Sequence, residues 1–260
     1  MLTERQISQF ERDGFLLGRR ILSGEQIQTL NNEVMRVIEQ RDGSRPQPML
    51  LRNLGGSDSS PVWQIVNIWQ ASVPFAELVA NKTISREIAQ LTQAKQLRIF
   101  HDQIQYKPAG RGGVNMWHQD APYWPIISGG TQVTAWIALD DADESNGCMK
   151  MVAGSHRWGN RIEFLESLKS FEAMPGEVEG HKIDVRTCPV SAGHVHYHHA
   201  LTWHGSAANV SDRPRRAIAL HFMNEQTLFR GKGEHPMKRF VDVADNAPIR
   251  GDAFPLVWSC

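Results

Sequence analysis

The sequence predicts a mainly β protein with flanking helices, folded as a double-stranded β-helix, which is a jelly roll of the cupin type. One observation behind this prediction is a series of short strand-like segments, broken by glycine and proline, that begins at Gln96 of the 260-residue chain. Such a cadence is typical of a sandwich or barrel. The other observation is that His118, Asp120 and His204 lie within this region, where they would put a metal in the mouth of the roll.

The first quarter of the chain is expected to be helical. Residues 3–6 (Thr-Glu-Arg-Gln) and 23–26 (Ser-Gly-Glu-Gln) both have the capping-box form that begins a helix. After the second box, apolar residues recur at the spacing of one helical face: Ile27, Leu30, Val34, Val37 and Ile38. The pattern ends at Asp42-Gly43, and we expect this helix to pack on the outside of a sheet.

A loop and a second helical stretch are expected before the strands. Residues 43–62 are rich in Gly, Ser and Pro and predict a long loop, followed by a segment from Trp63 to Trp69 and a helical stretch from about Phe75 to Gln93. Strands are then predicted near residues 97–106, 131–139, 148–152, 185–190, 194–199, 202–208 and 215–223.

A single domain over residues 1–260 accounts for this order. It comprises a mainly helical flank and loop at 1–95, a jelly-roll core at 96–225 and a C-terminal extension at 226–260. An insert between His156 and Thr187 carries apolar residues that suit either a satellite core or a cover over the mouth.

Length and composition agree with an ordinary soluble enzyme. Lys plus Arg and Asp plus Glu both number 28, so the net charge of zero gives no reason to expect a nucleic acid or an anionic membrane surface as partner. Three scattered cysteines without a CxxC pair suit reduced thiols. Charged residues near the N-terminus and the lack of a long apolar run predict no signal peptide and no membrane span, hence a cytoplasmic protein. The sequence does not indicate the oligomeric state.

The spacing of His118 and Asp120 predicts a metal site. Two residues apart on an extended segment, their side chains point to the same side, and His204 from another strand would complete a face of three ligands. Two histidines and one carboxylate with open positions are the arrangement of non-haem Fe(II) oxygenases, whereas structural zinc prefers four closed ligands. A His-x-Asp triplet alone also arises by chance on a surface, so its context matters.

Arg215 supplies part of that context. It lies eleven residues beyond His204 and begins an apolar strand. A guanidinium there can make two parallel hydrogen bonds to a carboxylate of a dicarboxylic acid that is bound at the metal. On the earlier strand, a period of two places His101, Gln103 and Gln105 on one face, which we expect to line the site.

The chain resembles the phytanoyl-CoA dioxygenase family of Fe(II)- and 2-oxoglutarate-dependent oxygenases. Four segments carry the resemblance: His118-Gln119-Asp120, Ala135-Trp136-Ile137-Ala138-Leu139, Asn146-Gly147-Cys148 through Gly154-Ser155-His156, and Gly193 through Phe222. The strand from His101 to Pro108 is similar to its counterpart in the ectoine-hydroxylase branch. One departure is Gly193-His194, where relatives usually have Gly-Asp; that position shapes a turn and is not expected to touch the chemistry.

The resemblance implies a role for each matching residue. His118, Asp120 and His204 would bind Fe(II), and Arg215 would pair with the distal carboxylate of 2-oxoglutarate, assisted by the Ser206 hydroxyl. Further contacts are expected from Trp136 and Gln105 to the co-substrate and from His101, Gln103 and Tyr123 to the substrate.

The implied reaction consumes O2 and 2-oxoglutarate, releases succinate and CO2, and hydroxylates an aliphatic C–H of a small-molecule metabolite. Because related halogenases replace the carboxylate ligand with a small residue, the presence of Asp120 favours oxygen insertion over chlorination. Desaturation, ring closure and epoxidation stay open, as does the identity of the substrate.

Two other functions suit the same residues. One is a metal-binding cupin-type isomerase or hydrolase without redox activity, which would give Arg215 no role, and the other is a non-catalytic jelly-roll binding domain. A cluster of four histidines, His194, His196, His198 and His199, precedes His204 and suggests a second metal. Hydrogen bonding to neighbours is the commoner role of histidines in a strand, and we favour it here.

Overall fold

A computed structural model describes residues 1–41, 43–54, 61–110 and 112–260 of the chain. The helices are α1 Glu4–Asp13, α2 Gly24–Glu39, α3 Val73–Val79, α4 Lys82–Thr92 and α5 Ile162–Ser167. The strands up to the metal-site region are β1 Phe15–Arg20, β2 Leu50–Asn53, β3 Trp63–Val66, β4 Gln96–Lys107, β5 Asn115–His118, β6 Ile127–Ser128, β7 Gln132–Ala138 and β8 Met149–Val152. The remaining strands are β9 Glu177–Val178, β10 His181–Lys182, β11 Val185–Cys188, β12 His194–His199, β13 His204–Ser206, β14 Arg215–Asn224, β15 Leu228–Phe229 and β16 Leu256–Ser259.

Two antiparallel sheets form the core of the molecule. The large sheet has the strand order β1-β12-β7-β14-β4-β3-β2, with β16 also pairing with β4, and the smaller one has the order β11-β8-β13-β5. Between them lie buried side chains such as Trp136 and Ala219 from the large sheet and Met149 from the small one. The predicted mainly β jelly roll with flanking helices is confirmed.

The helices cover the other face of the large sheet. In α2, the Ser23 hydroxyl accepts a hydrogen bond from the backbone N–H of Gln26, and the Gln26 side chain accepts one from the backbone N–H of Ser23, so the predicted capping box is present. The face of α2 that carries Leu30 and Val34 is buried in one cluster with apolar side chains of the sheet. This packing on the outside of a sheet agrees with the sequence-based expectation.

The first quarter is not helical throughout. Helix α1 ends at Asp13; the next residue, Gly14, has a φ of 83° that glycine readily adopts, and β1 follows at once. Strand β1 pairs antiparallel with β12, with Phe15 opposite His198. The expectation missed β1 because Phe-Leu-Leu-Gly-Arg-Arg lacks the alternation of a half-buried strand, even though Asp13-Gly14 directly before it is a turn signal.

Two other expectations about the flank need correction. The proposed loop over 43–62 contains β2, which pairs with β3 in a hairpin; residues 55–60 and Asp42 lie outside the described residues. The proposed helix from Phe75 to Gln93 is two helices, because the Asn81 side chain accepts hydrogen bonds from the N–H groups of Thr83 and Ile84 and thereby begins α4.

Each of the seven predicted core strands overlaps an observed strand, but two strands that matter were not predicted. Strand β5 has only four residues and carries His118. Strand β16 brings the C-terminal region onto β4, with Leu256 opposite Arg98. The insert between His156 and Thr187 forms α5 and the β9–β10 hairpin. Among the described residues, no helix is long and apolar enough to cross a membrane.

Candidate metal and co-substrate site

Strand pairing brings the three predicted ligands together. His118 ends β5, His204 begins β13, and the two residues are direct partners across these antiparallel strands. The potential ligand atoms of His118, Asp120 and His204 all lie within 4.8 Å of one another. Asp120 Oδ1 is 3.6 Å from His204 Nε2 and 3.8 Å from His118 Nε2. One ion can therefore contact all three side chains.

Hydrogen bonds set the orientation of both imidazoles. His118 Nδ1 lies 2.7 Å from the Met116 carbonyl oxygen, and His204 Nδ1 lies 2.9 Å from that of Thr202. A carbonyl oxygen only accepts, so each Nδ1 carries the proton and each Nε2 keeps its lone pair for a metal. Burial, reinforced by His204, lowers the pKa of His118 to about 4, which keeps that ring neutral at neutral pH.

Asp120 is held as a carboxylate. Burial alone would raise its pKa, but His204, His198 and His221 together keep the pKa well below the usual range. Its Oδ2 accepts a hydrogen bond from Thr134 Oγ1 at 3.1 Å and lies 3.3 Å from His198 Nε2. Two imidazoles and a carboxylate on one side, with a cavity on the other, suit an octahedral ferrous ion better than a closed zinc site.

Arg215 lies behind this face as a buried cation. It is fully buried at the start of β14, with its guanidinium carbon 5.7 Å from the centre of the Trp136 ring. Its Nη2 donates to Ser206 Oγ at 3.0 Å, while Nε and Nη1 have no partner among the described residues. Burial lowers the pKa of Arg215 to about 10, so the group stays charged at neutral pH. An unpaired buried guanidinium calls for an anionic ligand.

Lys107 is a site residue that the sequence analysis missed. It ends β4 directly opposite Arg215 and is fully buried. Its Nζ donates to the carbonyl oxygens of Ser206 and Ala207 and lies 2.7 Å from Ser206 Oγ. The signal was available, because one more step of the alternation through His101, Gln103 and Gln105 leads to Lys107.

The residues expected to contact the co-substrate and substrate all lie around the metal face. A pocket against the ligands is lined by Gln103, Gln105, Trp136 and Ser206. A larger cavity of about 770 Å³ opens beyond it, lined by His101, Gln103, Gln105 and Tyr123 among others. A volume of this size suits a drug-sized ligand.

Two further segments contribute to the large cavity. The insert forms a satellite core and part of the cavity wall: Phe171 packs with Trp117 and Trp203, while Leu165 and Leu168 line the cavity. The C-terminal region adds His235, whose ring lies 5.5 Å from that of His101. Sequence patterns gave no signal for His235, since it lies in a loop far along the chain.

A three-ligand face next to a buried receptor for an anion is what Fe(II)- and 2-oxoglutarate-dependent oxygenases require, and this places the chain in their class. The family model for phytanoyl-CoA dioxygenase (PhyH) matches residues 10–217. The chain therefore belongs to the phytanoyl-CoA dioxygenase family. It is a dioxygenase that uses Fe(II), 2-oxoglutarate and O2.

Individual relatives agree with this assignment. The ectoine dioxygenase of Bordetella parapertussis is 28% identical over 246 residues, covering 87% of this chain and 77% of the relative. The peroxisomal phytanoyl-CoA dioxygenase of Bos taurus is 24% identical over 241 residues, covering 85% of this chain and 68% of the relative. Among solved structures, the α-ketoglutarate-dependent carbocyclase SnoK from nogalamycin biosynthesis has a TM-score of 0.80 at 26% identity, covering 99% of this chain and 97% of SnoK.

Proposed function

We propose that this dioxygenase hydroxylates an aliphatic C–H bond of a small-molecule metabolite bound in the large cavity. The observation that carries the proposal is the fully buried Arg215 beside the three-ligand face, with Nε and Nη1 unpartnered. A dicarboxylic co-substrate that reaches from the metal to this guanidinium would satisfy both.

In this proposal His118, Asp120 and His204 hold Fe(II), which when bound supplies the redox chemistry that couples decarboxylation of 2-oxoglutarate by O2 to oxidation of the substrate. The chain keeps the two imidazoles neutral and aimed through the Met116 and Thr202 carbonyls. The Thr134 hydroxyl donates to Asp120 Oδ2 and fixes that carboxylate. Because Asp120 occupies the position that a halide would need, oxygen insertion is the expected outcome.

The co-substrate contacts follow from the anion pocket. Arg215 would pair with the distal carboxylate, with the Ser206 hydroxyl and Lys107 beside it. The Trp136 ring, which lies next to the guanidinium, would form one wall, and Gln105 would border the bound molecule on the side of the cavity. A charged pair buried in this way is strong because no water competes for its hydrogen bonds.

The substrate would contact His101, Gln103 and Tyr123, which line the cavity outside the metal face. Solved relatives hold small molecules: one structure is the epimerase SnoN with α-ketoglutarate and nogalamycin RO, and another is EctD from S. alaskensis with 2-oxoglutarate and 5-hydroxyectoine. The latter is 20% identical and supports the fold only. We place the enzyme in the cytoplasm on the sequence features given above.

The test compares two adjacent arginines. Arg215→Ala should raise the KM for 2-oxoglutarate at least a hundredfold in an assay of succinate release with fixed Fe(II) and ascorbate, because it removes a charged, bidentate anchor (on the order of 3 kcal/mol). Arg216→Ala is the matched control, since Arg216 points away and pairs with Asp140. If Arg215→Ala left 2-oxoglutarate affinity intact, a non-redox cupin-type isomerase or hydrolase would be the better assignment. Absence of any 2-oxoglutarate turnover in the wild type would favour a non-catalytic domain.

A further inference from the structure

Two side chains of opposite charge line the large cavity, and no charged side chain of the described residues neutralises either one. Arg52 lies on β2 and Glu166 on α5, and both form part of the cavity wall. Within the described part of the chain, their side chains bond only to neutral ones, Gln64 and Tyr123. Arg52 and Glu166 do not pair with each other, so a ligand in the cavity meets both charges.

Arg52 is held by amide side chains on one face of the large sheet. It lies directly opposite Gln64 across β2 and β3, and cross-strand partners point to the same face. Arg52 Nε donates to Gln64 Oε1 at 2.7 Å, and Gln64 Nε2 donates to Gln103 Oε1 at 2.6 Å. The two Nη groups of Arg52 have no partner among the described residues. Their paired N–H groups suit the two oxygens of a carboxylate or a similar anion.

Glu166 is held in a comparable way on the insert. The Tyr123 hydroxyl donates to Glu166 Oε1 at 2.9 Å. Burial, with this hydrogen bond, raises the pKa of Tyr123 to about 12, so the hydroxyl keeps its proton and the carboxylate keeps its full charge. Glu166 Oε2 has no partner among the described residues. A carboxylate next to an aromatic side chain that is itself 49% exposed suits an ammonium group.

The other charged or titratable groups of the described cavity wall are neutralised or neutral. Glu234 pairs with Lys238 at 2.6 Å, and Asp120 belongs to the metal face. Burial lowers the pKa values of three further histidines of the wall, which are neutral at neutral pH: His101, His221 and His235. Apolar side chains, among them Leu54, Val114 and Met116, complete the wall. Charge recognition in this cavity therefore falls to Arg52 and Glu166.

We propose, on the basis of the function proposed above, that the substrate is a zwitterion, with an anionic group and a cationic group joined by an aliphatic segment. The anionic group pairs with Arg52 and the cationic group with Glu166. The aliphatic segment lies between them in the cavity that the metal ligands His118 and Asp120 also line. Such a molecule meets each charge of the wall with its opposite, whereas a ligand with a single charge leaves one side chain unmatched.

Probes of matched chain length test this pairing. Three ω-amino acids, 4-aminobutanoate, 6-aminohexanoate and 8-aminooctanoate, are each compared with the alkanoate and the alkylammonium of the same length. Each probe is titrated by calorimetry, without oxygen, into protein loaded with Fe(II) and 2-oxoglutarate, so that the co-substrate already occupies Arg215. At least one amino acid should bind about fivefold more tightly than both of its counterparts. Added salt should reduce this preference, since both side chains are exposed.

Two variants separate the two charges. Arg52→Gln should weaken the alkanoate and the amino acid about fivefold without weakening the alkylammonium, and Glu166→Gln should weaken the alkylammonium and the amino acid without weakening the alkanoate. The matched controls are Arg86→Gln on α4 and Glu163→Gln on α5, both exposed and outside the cavity wall. Neither control should change the affinity for any probe.

Charge reversal gives a result that a structural role for Arg52 does not predict. In Arg52→Glu two carboxylates face the cavity, so the α,ω-diaminoalkane with the length of the tightest amino acid should bind more tightly than that amino acid. A loss of local structure at position 52 would instead weaken every probe alike.

The inference is wrong if no amino acid binds more tightly than both of its counterparts, or if Arg52→Gln and Glu166→Gln affect the anionic and cationic probes alike. The proposed function is tested separately in the same samples. If the visible absorption of a 2-oxoglutarate–Fe(II) complex does not form before any probe is added, the proposed function fails. If it forms and the probe results disagree, only the substrate class is wrong.

Discussion

Two basic side chains share one hydroxyl in the anion pocket: Arg215 Nη2 donates to Ser206 Oγ at 3.0 Å, and Lys107 Nζ lies 2.7 Å from the same oxygen. Arg215 keeps its charge, whereas burial, with Arg215 nearby, lowers the pKa of Lys107 to about 5. The lysine is therefore neutral at neutral pH until an anion arrives. A bound carboxylate would raise its pKa again, so binding of 2-oxoglutarate should take up a proton.

Replacing Lys107 by Met should weaken 2-oxoglutarate binding about tenfold and abolish that proton uptake, because the variant keeps the volume and loses the amine. Calorimetry in buffers of different ionisation enthalpy measures both effects. Lys150→Met is the control, since Lys150 is partly exposed and contacts Glu144. Unchanged affinity and unchanged proton uptake in Lys107→Met would show that the lysine plays no part in the pocket.

The clustering of His118, Asp120 and His204 could be predicted from the sequence because His118 and Asp120 are two residues apart and His204 and Arg215 lie at a recognisable spacing. The expected extended segment was wrong for Asp120, because β5 ends at His118 and Asp120 has helical backbone angles. Lys107 is in phase with the same face, but its partner Arg215 is set by the register between β14 and β4. His235 could not be found, because a loop in the C-terminal region brings it to His101 only in the folded chain. The roles of His101, Gln103, Gln105 and Tyr123 stay predictions.

At the scale of elements, the site depends on how β13 lies against β5. Their pairing places His204 opposite His118, and the register shifts before Ser206. Gly205 lies between these residues, and a β-carbon there would be 2.9 Å from the carbonyl oxygen of Asn115 and 2.9 Å from the Phe171 ring. A methyl group at this position therefore has to push the two strands apart.

Gly205→Ala should destabilise the protein by about 1–3 kcal/mol and weaken Fe(II) binding, since overpacking moves His204 away from His118. Gly24→Ala is the matched control: nothing lies within 4 Å of a β-carbon at Gly24, which is the first residue of α2. Urea denaturation and an anaerobic Fe(II) titration measure the two quantities. Wild-type Fe(II) affinity in Gly205→Ala would contradict the importance of this strand contact.

Elements with a strong periodic signal were predictable, and those defined by their partners were not. Helix α2 has both a capping box and an apolar face, and the core strands have clear turn residues between them. In strand β1 the two buried residues, Phe15 and Leu16, are adjacent and do not alternate with exposed ones. This segment is a strand because it pairs with the edge of β12. Strand β5 is too short for its pattern to be distinguished from a loop.

At the scale of the whole molecule, buried histidines link stability to pH. Burial lowers the pKa of His196 to about 3 and the pKa values of His199 and His235 to about 4, from 6.5 in an exposed residue. As the pH falls from about 6.5 to about 4, these histidines take up protons in the unfolded chain but not in the folded chain. The stability that these three neutral rings contribute is therefore fully present above this window and is lost as the pH falls through it.

The free energy of unfolding of the metal-free protein should fall by roughly 3 kcal/mol or more across that window. Urea denaturation at a series of pH values measures it. His196→Phe should make the fall shallower, and His181→Phe, in the exposed β10, should leave it unchanged. A stability that does not vary with pH here would mean that these rings are protonated in the folded state.

The most direct test of the central claim is an anaerobic Fe(II) titration of the wild type and of His204→Ala, with visible absorption recorded before and after 2-oxoglutarate is added. His194→Ala is the control, since His194 lies at the start of β12 away from the ligand face. We expect the wild type and the control to bind one Fe(II) per chain and to develop the absorption only with 2-oxoglutarate, and His204→Ala to lose both. Undiminished Fe(II) binding and absorption in His204→Ala, or no absorption in the wild type, would contradict the assignment of His118, Asp120 and His204 as the iron ligands.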